Sequence, residues 1–116
     1  MAQPAIQSAR KSLGAPITST ASFDSFLRTH RAAVVFFTDA MCAPCRAIEP
    51  VVERIAHEKE ERNDGQGVAF AKVEVDNAIA VQHEITATPA FLFFWKGEVV
   101  CILVCFSDFT VDAITG

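Results

Sequence analysis

Apolar positions along the chain alternate between strand-length runs and helical stripes. "STASFDSFLRTH" (19–30) places Phe23, Phe26 and Leu27 at i, i+3, i+4 and predicts a helix, with Ser22 as N-cap and Asp24 in the first turn. "AAVVFFTD" (32–39) is a continuous apolar run, the pattern of a central strand covered on both faces. "CAPCRAIEPVVERIAHEKEERNDG" (42–65) then predicts a long helix, with Ile48, Val51, Val52, Ile55 and Ala56 on one face and a charged later half. The glycines of "NDGQG" suit its end.

"VAFAKVEVDN" (68–77) is a second strand, "AIAVQHEI" (78–85) a short helix, and "TATP" breaks it. "AFLFFW" and "EVVCILVCF" are two strands around "KGE", a hairpin signal with Gly97 at the turn. Residues 1–15 form an irregular lead-in or linker, within which 5–13 has short-helix potential, and "PIT" (16–18) fits an edge strand opened by Pro16. The order β-α-β-α-β-α-β-β assigns residues 16–116 to one α/β domain. After Phe106 a helix signal, with Ser107 as cap and Phe109 and Ala113 on one face, stops within about two turns. Together with the loose start, this short C-terminal helix leads us to expect a domain cut from a longer polypeptide, the alternative being a short-tailed protein.

Composition narrows the function. The 116 residues are 51% hydrophobic, enough for a core without staples. A net charge of −4 gives no electrostatic footprint for nucleic acid and no polybasic patch for a membrane surface. The apolar runs are strand-sized, short of a spanning helix, and the N-terminus has no apolar segment of the secretory type. We therefore expect a cytoplasmic, reducing setting.

Four cysteines are too few for a disulfide scaffold, so Cys42-Ala-Pro-Cys45 needs its own account. Cys42 stands where a helix begins, and the unpaired N–H groups and positive dipole end there favour thiolate over thiol. Cys45 lies about one turn on and on the same face, close enough for a disulfide. Pro44 in the first turn forfeits no helical bond. This arrangement suits dithiol/disulfide exchange, with Cys42 attacking and Cys45 resolving. Three alternatives stand beside it: half a zinc site, a pair of inert thiols, and a redox-capable fold used only for binding.

The residues resemble the thioredoxin family over about residues 16–106. "VVFFTDAMCAPCRAIEP" resembles its strand, its Cys-x-Pro-Cys helix start and its helix-kinking proline, here Pro50. "KVEVD" resembles its next central strand, and "ITATPAFLFFWKGEVV" its cis-proline loop and hairpin. The resemblance implies a three-layer sandwich, a central mixed β-sheet flanked by helices, and a protein disulfide oxidoreductase. It implies catalytic Cys42 and Cys45, and a cis Thr88–Pro89 bond whose backbone docks substrate beside Met41, Ala43 and Pro44. Implied partners are protein disulfide substrates and a reductant such as a thioredoxin reductase. We expect a monomer with no cofactor, no metal, no nucleic acid and no membrane.

Three departures from the family pattern qualify this. Met41 replaces a tryptophan before the first cysteine, and Phe36 replaces a strand aspartate that would move the proton of the second thiol. Asp39, expected exposed at the strand end, does not take that role. Cys105 falls where the family prefers glycine near the substrate groove, which makes it a candidate third thiol, weighed against burial as a small hydrophobe. Cys101 shares that burial expectation and is too far along the strand, about 13 Å, to bond Cys105. A weakly active or non-catalytic interaction module of a larger protein is the competing function. His30, His57 and His83 are expected at the surface, Trp95 in packing, and Arg46 as a weak source of positive potential near Cys42.

Overall fold

The computed structural model describes residues 13–60 and 67–104. The expected helix over 5–13, apart from its last residue, the glycine-rich helix end at 61–66, Cys105 and the tail helix lie outside the described residues. Within them the order is α1 (Thr20–Thr29), β1 (Ala32–Thr38), α2 (Ala43–Glu58), β2 (Ala69–Glu74), α3 (Ala78–Gln82), β3 (Ala90–Trp95) and β4 (Glu98–Val104).

The four strands form one mixed sheet in the order β2-β1-β3-β4. β1 runs parallel to β2 and antiparallel to β3, and β3 turns back into β4. Lys96 and Gly97 both have positive φ, 52° and 84°, as a two-residue hairpin turn that matches strand twist requires. "PIT" adds no full strand; it bonds β2 from Ile17 N to the Lys72 carbonyl at 2.9 Å, and its Thr18 carbonyl accepts from Asn77 Nδ2 at 3.0 Å.

The apolar run of β1 divides by the strand's two-residue period. Ala33, Val35 and Phe37 join Phe23 of α1 and Ile79 and Ala80 of α3 on one side of the sheet. Val34 and Phe36 join Leu13, Cys45, Val52 and Phe91 on the α2 side. Helices thus cover both faces of the central strand, in three layers. Leu13, at the end of the expected lead-in, is itself part of this core.

Local details depart from the sequence reading in three places. Ser19, not Ser22, caps α1: its Oγ accepts from Ser22 N at 3.1 Å, because the helix starts one turn earlier. On α2, Cys45, Val52 and Ala56 are buried, while Val51 and Ile55 remain 38% and 40% exposed. The helix meets the sheet along a narrower line than its apolar stripe suggests. Finally, α3 stops at Gln82 because Glu84 adopts φ 58°. Ile85 N then donates to the Ala80 carbonyl and Glu84 N to the Val81 carbonyl, a Schellman closure built without glycine.

Candidate active site

β1 ends at Thr38, and the next four residues set the first cysteine. Asp39 orders this turn: its Oδ1 accepts from Met41 N at 3.1 Å and its carbonyl from Cys42 N at 3.0 Å. Aspartate favours such turns because its short side chain reaches the backbone two residues on. Arg46 ties the turn from the far side, donating to the Ala40 carbonyl at 2.7 Å. Sequence reasoning missed both anchors, although an aspartate between a strand and a helix start was a usable signal.

Cys42 is the N-cap of α2, in extended conformation, with its Sγ accepting from Cys45 N at 3.1 Å. A sulfur therefore takes the place usually held by a capping oxygen. Cys42 and Cys45 are joined in a disulfide, with Cα atoms 5.3 Å apart. Their surroundings differ sharply. Cys42 is half-buried at the helix mouth, whereas Cys45 is fully buried against Phe36, Val52 and Phe91. Around Cys42, Met41 is 88% exposed, Ala43 is exposed and Pro44 is half-buried within the first turn. Pro50 continues the same helix from its exposed side.

The Thr88–Pro89 bond is cis. Because Ala90 pairs with Phe37, this loop enters the sheet at the end where β1 exits toward Cys42. Thr88 is half-buried and Pro89 fully buried. Topology thus brings Met41, Cys42, Ala43, Pro44, Cys45, Thr88 and Pro89 to one end of the molecule. Cys105 lies outside the described residues. Cys101 is a free thiol exposed on β4 rather than a buried small hydrophobe, because β4 is exposed along its length up to half-buried Val104.

Phe36, in place of a strand aspartate, is fully buried and stacks on Phe91 with centroids 5.0 Å apart and planes 15° apart. Across the same layer Lys72 Nζ meets Glu49 Oε2 at 2.8 Å, and both side chains are largely shielded. Two other expectations change. His83 is not a surface residue: it packs among Phe23, Phe37 and Phe94, with Nδ1 3.0 Å from the Ile79 carbonyl. Trp95 is 47% exposed, with Arg31 and Lys96 placed over its ring at 5.9 and 5.6 Å. Among the described residues no cluster of three or more His, Cys, Asp or Glu is gathered for a metal, and no helix is long and apolar enough to cross a membrane.

A family model for thioredoxin matches residues 15–107. A thioredoxin of Mycoplasmoides gallisepticum is 34% identical over 84 residues, covering 71% of this chain and 78% of the relative. One of Neurospora crassa is 34% identical over 88 residues, covering 74% and 67%. Among solved structures, a mutant thioredoxin from Halobacterium salinarum superposes with a TM-score of 0.71 at 27% identity, over 91% of this chain and 88% of its own. A closely spaced cysteine pair at a helix mouth, on a mixed sheet flanked by helices, defines a thiol–disulfide oxidoreductase. The chain belongs to the thioredoxin family.

Proposed function

We propose that this oxidoreductase reduces protein disulfides with Cys42 as nucleophile and Cys45 as resolving thiol. The observation that carries the assignment is the unequal burial of the two bonded cysteines: Cys42 is half-buried, whereas Cys45 is fully buried. In the reduced protein, the Cys45 N–H and the helix N-terminus favour a thiolate at Cys42. That thiolate attacks one sulfur of the substrate disulfide and expels the other as a thiolate, leaving a mixed disulfide. Cys45 then loses its proton and attacks Cys42 Sγ, which expels the second substrate thiolate and closes the Cys42–Cys45 bond. Two electrons pass to the substrate, and a dithiol reductant of the thioredoxin reductase type restores the pair.

Substrate docks at Met41, Ala43 and Pro44 and along the Thr88–Pro89 backbone. Thr88 is half-buried at the sheet end where the cysteine turn also emerges, which suits strand-like pairing with an extended peptide. On this reading the protein acts as a monomer in cytoplasmic redox homeostasis, with residues 16–116 as its domain. The test is reduction of a protein disulfide at the expense of dithiothreitol. The native chain is expected to turn over, and Cys42→Ser to match the uncatalysed rate. Native activity no greater than that of the variant would leave a binding module only.

A further inference from the structure

The resolving step poses a problem that the cysteines alone do not solve. Cys45 is fully buried, and a thiol is a far weaker nucleophile than a thiolate. Its proton must therefore leave at the moment of attack, inside a layer with little access to water. The strands β1 and β3 packed against it offer no carboxylate there: β1 presents Val34, Phe36 and, by the strand's two-residue period, the buried hydroxyl residue Thr38, and β3 presents Phe91 and half-buried Phe93.

α2 itself supplies one. Glu49 stands four residues after Cys45, the spacing that places two side chains on one helix face about 5–6 Å apart at Cβ. Its side chain is 22% exposed, and its Oε2 is held by Lys72 Nζ at 2.8 Å. Lys72 arises from β2 opposite Phe36, so the ion pair sits in the layer that holds the Cys45 sulfur. The other charged groups facing this layer are less suited. Glu53 accepts from Leu13 N at Oε1, 3.1 Å, and keeps a buried Oε2 without a partner, but it stands eight residues after Cys45, about 12 Å along the helix axis and too far to take its proton. Asp39 is engaged with Met41 N at the mouth, on the Cys42 side.

We propose that Glu49 is the proton acceptor for Cys45 and that Lys72 is the positioning residue that holds it. The proposal rests on the nucleophile and resolving roles given above. In the step, the Cys45 S–H proton passes to the Glu49 carboxylate, directly or through one water. The Cys45 sulfur bonds to Cys42 Sγ, the bond from Cys42 to the substrate sulfur breaks, and the substrate leaves as a thiolate that takes up the proton. No outside oxidant or reductant enters.

A chromogenic aromatic disulfide, the Ellman reagent, separates the two steps. Reduced protein is kept in excess in stopped flow, on a Cys101→Ser, Cys105→Ser background so that neither extra thiol consumes reagent. The first thiolate released reports attack by Cys42, with a rate proportional to protein. The second reports attack by Cys45 and is independent of protein concentration. Glu49→Gln is expected to leave the first phase unchanged. It is expected to slow the second at least about tenfold, toward the ~10²-fold typical of a positioned base. Glu49→Asp is expected to restore most of the rate, which a purely structural role would not require. A second phase slowed less than about tenfold in Glu49→Gln, or equally slow Gln and Asp variants, overturns the proposal. A native protein with no second phase overturns the cysteine roles instead.

Discussion

Replacing Phe36 by alanine tests the packing beneath the buried sulfur. Phe36 is fully buried, pairs directly across β1 and β3 with Phe91, and stacks on its ring. Buried phenylalanine truncations cost about 3–5 kcal/mol through lost transfer energy and the cavity left behind. A well-formed aromatic pair contributes about 0.5–1.5 kcal/mol beyond its area, which places this site in the upper half of that range, at about 4 kcal/mol. A domain of 116 residues is stable by roughly 6–17 kcal/mol at ~0.05–0.15 kcal/mol per residue, so the variant stays folded but with much of its margin gone. In urea, with a slope of about 2 kcal/mol per molar, the midpoint falls by about 2 M. The cavity borders Cys45, so the reduced variant should also admit an alkylating agent to that thiol while the native protein protects it. Equilibrium unfolding and mass-spectrometric counting of alkylated thiols measure the two effects. A loss below about 2 kcal/mol, smaller than the phenylalanine truncation range allows, would refute the close packing argued for this layer.

Two further substitutions probe separate links of the argument. Glu84→Gly relieves a left-handed backbone cost of about 1–2 kcal/mol and returns part of it as unfolded-chain entropy, so unfolding should show a net gain of about 0.5–1 kcal/mol; a loss would mean that the Glu84 side chain stabilises α3 in a way its exposure does not indicate. Cys45→Ser leaves Cys42 able to attack but removes the resolving thiol, so a mixed disulfide with a protein substrate should persist on non-reducing gels; an adduct that clears as fast as the native one would take the resolving role away from Cys45.

Much of the fold was legible because its periodicity changes cleanly from element to element. The continuous apolar run of β1 announced a strand buried on both faces, and Phe23, Phe26 and Leu27 did turn one side of α1 to the core. The cysteine pair announced itself by spacing, whereas the cis bond at Pro89 came only from resemblance. What stayed hidden depends on tertiary placement. Both Ser19 and Ser22 are good caps, and only the actual helix start decides between them. Val51 and Ile55 read as core because a stripe shows which face is apolar, not how much of it meets a partner. His83 has polar neighbours in sequence, yet three aromatic rings close around it in space. The Glu49–Lys72 pair joins residues 23 apart through the packing of α2 on β2, which no local pattern contains.

The proposed order of the two chemical steps follows from how the helix enters the sheet. β1 delivers the chain to the surface, and the Asp39 turn places Cys42 before the first helical residue, half-buried at the helix mouth and at the edge of the α2-side core. One turn later the helix axis has carried Cys45 over Phe36 and Phe91, where solvent is excluded. A substrate disulfide can reach the first sulfur but not the second, so an attack that begins at Cys45 is sterically closed. The second sulfur can reach only the first, so once a mixed disulfide forms, its nearest reaction is release of the substrate. Burial therefore does two things: it selects the entry point, and it makes resolution intramolecular. The same burial withholds water from the Cys45 proton. A shielded carboxylate one turn down the same helix is the remedy that this core offers, since β1 and β3 contribute no carboxylate to the layer.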